Sequence, residues 1–149
     1  MADHVAVRLF AEGWVARLTV FSPCAWDSDA CQFVDTGSAD WRNNPGRIAN
    51  KHHRNFSRHL GTSLLEELEH VRLMGKEGAM TMDCTSAGFH ARNNLVASKA
   101  EYMIAFTLAP GDAPPRKGGT RYTWNRCKAQ KKLHISLASA KTNHLCSGQ

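Results

Sequence analysis

From Leu64 to Leu137 the sequence alternates between helix-like and strand-like patterns, and this alternation narrows the fold more than any other feature. Leu64, Leu65, Leu68 and Val71 recur at the i, i+1, i+4, i+7 spacing that lines one helical face. Thr62 or Ser63 can cap that helix, Glu66 and Glu67 fall in its first turn, and Gly75 or Gly78 can end it. Residues 79–82 form a short strand candidate. Thr85 or Ser86 can cap the next helix, which carries Ala91, Leu95, Val96 and Ala100 and runs straight into residues 102–107, the best candidate for a buried strand. A turn containing Pro110, Gly111, Pro114 and Pro115 leads to Gly118-Gly119-Thr120, a helix over about 121–130 and a strand over 133–137. Helices placed between strands predict parallel βαβ connections and a sheet covered on both faces, which is the α/β class.

The first third is less regular. Val5, Val7, Leu9 and Phe10 follow Asp3 in a pattern that predicts a short amphipathic helix ending at Gly13, and residues 16–21 predict a strand stopped by Ser22-Pro23. Residues 24–61 are rich in Asp, Asn, Gly, Ser and His and hold no sustained period, so they read as a long loop or insertion. Loops of that length close over a site, join another subunit or hold short helices of their own. Trp26 and Trp41 argue that part of this one is ordered. The length of 149 residues predicts a single domain, with 138–149 as a flexible tail.

Composition excludes several classes. No stretch approaches the roughly 18 apolar residues needed to cross a bilayer, and the first residues lack the pattern of a secretory signal. A soluble, cytoplasmic protein without membrane partners is therefore expected. Cys24, Cys31, Cys84, Cys127 and Cys146 are scattered, which suits reduced thiols better than a zinc site or a disulfide scaffold. His52, His53 and His59 have no matching Cys or carboxylate pattern and read as a surface loop, so no metal and no cofactor is expected. Glu66, Glu67, Glu69 and His70 read as a solvated helix face. The net charge of +6 favours anionic partners, nucleic acid among them. Arg116, Lys117, Arg121, Arg126, Lys128, Lys131 and Lys132 gather late in the chain, and a solvated face explains most of that run.

The candidate chemistry lies in the loops that follow the strands. An apolar strand, a Pro- and Gly-rich loop, Gly118-Gly119-Thr120 and then a helix is an arrangement in which bare amides and a helix N-terminus meet an anion. Thr120 adds a hydroxyl and Arg121 a charge. On a doubly wound sheet the loops after successive strands open at one edge, so Arg92 and Asn93, on the preceding helix, can address phosphate oxygens and a ribose or base.

The segment from Gly88 to Leu137, with GFHARNNLVASKAEYMIAF, GGTRYT and KLHISL, resembles the SLOG superfamily of Lonely Guy-type phosphoribohydrolases, DprA DNA-processing proteins and YspA-like proteins. The opening ADHVAVRLFAEGWVARLTVFSP is similar to their first helix and second strand. The resemblance covers about half the chain. It implies a Rossmann-like three-layer fold with a mainly parallel sheet, trimmed by one strand at the N-terminus or completed by another chain of a homo-oligomer. It further implies a nucleotide or phosphorylated nucleoside ligand held by Arg92, Asn93, Gly118, Gly119, Thr120, Arg121 and Thr123. The phosphoribohydrolases carry a catalytic glutamate three residues after the loop threonine, where this chain has Thr123, so hydrolysis of an N-glycosidic bond lacks its usual carboxylate. The alternatives are a DprA-like nucleic-acid-binding module and a degenerate domain that serves interaction only.

Overall fold

The computed structural model describes residues 2–75, 78–112, 114 and 116–138. The chain forms two compact units, Met1–Arg92 and Asn93–Gln149. The expected tail from 139 onward lies outside the described residues. Among the described residues five helices and six strands are mixed along the chain, with parallel pairs, as in the α/β class. The described strands group as three two-stranded sheets, two parallel and one antiparallel, where the sequence predicts a single sheet.

The first unit opens with helix α1 (Ala2–Ala11) and strand β1 (Leu18–Phe21). On α1 the buried positions are His4 and Val7, while Val5 and Leu9, counted toward the apolar face from sequence, are exposed. Strand β1 pairs in parallel with β4 (Met80–Asp83), Leu18 opposite Met80 and Phe21 opposite Asp83. Between them come β2 (Trp26–Asp27) and β3 (Gln32–Phe33), a short antiparallel hairpin, and then helices α2 (Pro45–Leu60) and α3 (Leu64–Met74). Val7, Leu18, Phe33, Ala49, Leu65, Leu68 and Val71 form the core of this unit.

Helix α2 occupies much of the segment expected to be loop. Its end signals are conventional, with the Asn44 side chain accepting from Arg47 N at 3.2 Å, Pro45 in the first turn, and Gly61 closing the helix at φ +70°. Its buried face carries little apolar surface, because Ala49 and Asn50 take core positions. A period count that scores only apolar residues passes over such a helix. The leucine stripe, in contrast, lies where expected on α3, capped by Ser63, with Leu73 exposed. Glu69 departs from its expected place on a solvated face. It is buried, accepts from Trp26 Nε1 at 2.8 Å and is paired by Arg72 at 2.7 Å.

Helix α4 (Phe89–Lys99) starts in the first unit and continues into the second, which holds β5 (Tyr102–Thr107), α5 (Gly119–Arg126) and β6 (Lys131–Ser136). Strands β5 and β6 pair in parallel around α5, with Ile104 opposite Leu133 and Ala105 opposite His134. One face of the pair, with Ala105 and His134, is covered. The other shows Tyr102, Ile104 and Leu133 exposed at 64%, 58% and 54%, so β5 is not the fully buried strand that its composition suggests. A short apolar run reads alike whether one or two faces are covered.

Candidate functional site

In the second unit the glycines expected to meet an anion begin a helix, as the sequence predicts. Gly118 is the N-terminal cap of α5 at φ +107°, a left-handed backbone that favours glycine, and it has no side chain to satisfy the amides that follow. Gly118 and Gly119 are exposed and Thr120 is half-buried. A Cβ placed on Gly119 would come within 3.4 Å of Asn93 Nδ2, so the buried Asn93 side chain stands beside the start of α5. The other two expected residues turn elsewhere. Thr123 is buried and its hydroxyl donates to Gly119 O at 3.0 Å, and Arg121 Nη1 donates to Pro114 O at 3.5 Å.

His134 is a residue the sequence reading missed. Its Nδ1 lies 2.7 Å from Gly111 O and its Nε2 2.8 Å from Thr107 Oγ1, while Thr107 Oγ1 also accepts from Ala109 N at 3.1 Å. A neutral ring protonated on Nδ1 donates to the carbonyl and accepts the threonine hydroxyl, which fixes the turn leaving β5. The alternation of β6, apolar at Leu133 and Ile135, marks position 134 as outward-facing, whereas the structure buries His134 and exposes Leu133, so no local signal pointed to this histidine.

Arg92 belongs to the first unit. It sits on the first turn of α4, just after β4, and its Nε donates to Phe21 O at 3.0 Å, where β1 ends. It lines a cavity of about 230 Å³ whose other walls include Phe33, Phe56, Phe89, His4, His52 and His53. His53 and His4 meet edge to face at 5.1 Å, and His53 Nδ1 lies 2.8 Å from Ala49 O. Behind His4, Glu67 Oε2 stands 3.9 Å from Nδ1 and Glu67 Oε1 accepts from Arg8 Nε at 2.9 Å. Val20, Phe21 and Pro23 bring the end of β1 to the cavity wall, and the ends of parallel strands are the edge at which such sheets take ligands.

Cys24 and Cys84 follow those same two strands. Burial, with a smaller contribution from Cys84, pushes the Cys24 thiol up to about 11, so it stays protonated and weakly nucleophilic at neutral pH. Among the described residues no group of three or more His, Cys, Asp or Glu side chains is placed to hold a metal ion, and no helix is long and apolar enough to cross a membrane.

No family model matches the chain, and no solved structure matches it. It is similar to an uncharacterized protein of Acanthamoeba polyphaga mimivirus, with 32% identity over 140 residues. The match covers 92% of this chain and 66% of the viral protein, so the chain spans just under two thirds of that relative's length.

Proposed function

We propose that this chain binds a nucleotide or another phosphorylated nucleoside derivative, with a phosphate seated at the start of α5 in a Rossmann-like unit, and acts as a sensor or carrier. The observation that carries the reading is the helix start at Gly118 and Gly119, which has no side-chain cap and lies beside Asn93. First-turn amides without a side-chain cap and the positive end of the helix dipole attract an anion, and Asn93 lies beside them. The resemblance to SLOG proteins supports the same ligand class. Binding is favoured over phosphoribohydrolase turnover, because Thr123 stands where a carboxylate would act and its hydroxyl is bonded within its own helix.

Thermal-shift titration with nucleoside monophosphates, ADP-ribose and cyclic nucleotides tests the reading. A cognate ligand at 100 times its Kd stabilises the fold by about 2.7 kcal/mol. Gly119→Asp places a carboxylate against the phosphate and beside Asn93, and abolishes the shift. Failure of every compound to stabilise the chain, or equal stabilisation of the variant, would rule the reading out.

A second reading, nucleic-acid binding, draws support from the exposure of Arg116, Lys117, Arg126, Lys128 and Lys131. Lys132 is less available to a phosphate backbone, since its Nζ donates to Trp124 O at 3.1 Å and Cys127 O at 2.9 Å.

A further inference from the structure

The cavity of the first unit is built from two kinds of surface. Phe33, Phe56 and Phe89 give it flat apolar walls, Arg92 gives it positive charge, and His4, His52 and His53 add imidazole rings. No Asp or Glu is among the residues that line it. Both fixed polar groups are held before any ligand arrives. Arg92 is tied through Nε to the Phe21 carbonyl at 3.0 Å, and His53 through Nδ1 to the Ala49 carbonyl at 2.8 Å. Anchoring of this kind lowers the ordering cost of binding.

We propose that this cavity is a binding site, separate from the phosphate site at α5, for a small planar ring compound carrying one negative charge, of the aromatic carboxylate class. Each property of the ligand follows from a property of the walls. The volume of about 230 Å³ admits one ring or a small fused pair. Aromatic walls favour a flat apolar body, which can stack or meet a ring edge. The guanidinium keeps its charge at any physiological pH, so it favours an anionic edge over a cationic one. A bare inorganic anion would satisfy the charge and leave the phenylalanine walls without contact. The location, at the end of the parallel strand β1, is the usual one for ligands of α/β sheets.

Three ligands of one shape and different charge test the proposal on the full chain by isothermal titration and saturation-transfer NMR: benzoate, benzamide and benzylamine. Benzoate is expected to bind at least tenfold more tightly than benzamide, and benzylamine least. Arg92→Gln should abolish the preference for benzoate over benzamide, and Arg92→Lys should restore part of it, with circular dichroism to establish that each variant folds. Equal affinity for benzoate and benzamide, or no binding by any of the three, would overturn the proposal without use of any variant. An unchanged preference in folded Arg92→Gln would overturn it as well.

Discussion

Asn50 does for Phe33 what a neighbouring strand would do. Its carboxamide accepts from Phe33 N at 2.9 Å and donates to Phe33 O at 2.8 Å, and both residues are almost wholly shielded from water. Asn50→Ala strips that partner from a buried amide and a buried carbonyl, and a loss of about 1–3 kcal/mol is expected in urea denaturation. An unchanged midpoint would mean that water replaces the side chain. Glu69 makes the complementary case for charge. Its hydrogen bonds from Arg72, and less strongly from Trp26, hold its carboxyl below the ordinary carboxylate range despite the opposing effect of burial. A carboxyl with a depressed folded value contributes stability above its unfolded pKa of about 4.3, and that contribution is lost as pH falls toward the folded value. Glu69→Gln should therefore flatten the fall in stability below about pH 4.3, measured by denaturant titration at each pH. Neither role was legible locally. Glu69 lies on the helix beside Leu68 and reads as solvated by spacing alone, because Trp26, its distant partner, is brought to it only by the fold.

At the scale of elements, legibility followed the amount of apolar patterning. Helix α3 could be placed with its cap because four aliphatic positions share one face. Helix α2 could not, since its end signals enclose a segment whose buried residues, Pro45, Gly46, Ala49 and Asn50, carry little apolar bulk. The helix start at Gly118 and Gly119 was readable because glycines have a local backbone meaning, whereas Arg92 was grouped with Asn93 by chain neighbourhood and the structure places it at a cavity of the first unit. Strand β5 supplies a test of its two faces. Ile104→Thr, on the open face, should change stability by no more than about 0.5 kcal/mol. Ala105→Leu, on the covered face opposite His134, should cost about 1–3 kcal/mol through overpacking. Similar costs for the two variants, read from thermal melts, would show that something covers Ile104 in solution.

For the molecule as a whole, net charge was readable directly and its distribution nearly so. The net charge is +6, and the exposed basic residues from Arg116 to Lys131 all lie in the second unit. If a nucleic-acid backbone is the partner, affinity for a single-stranded oligonucleotide should fall by about 10²–10⁴ between about 50 and 200 mM salt, whereas a mononucleotide seated at α5 should show a far smaller dependence. Gel-shift and fluorescence anisotropy titrations at several salt concentrations separate the two. The division into two units was not visible in a length that suits one domain, because a helix that continues across the boundary leaves no break in composition at Arg92. The bond from α2 to Phe33 also bears on the order of assembly. Strands of two residues make too few ladder bonds to persist alone. The turn between Trp26 and Phe33 is thus a poor nucleus for folding, and it closes only after the later helix has arrived to hold it. Early sequence becomes late structure, and any partner that recognises this hairpin recognises a chain whose first unit has already matured.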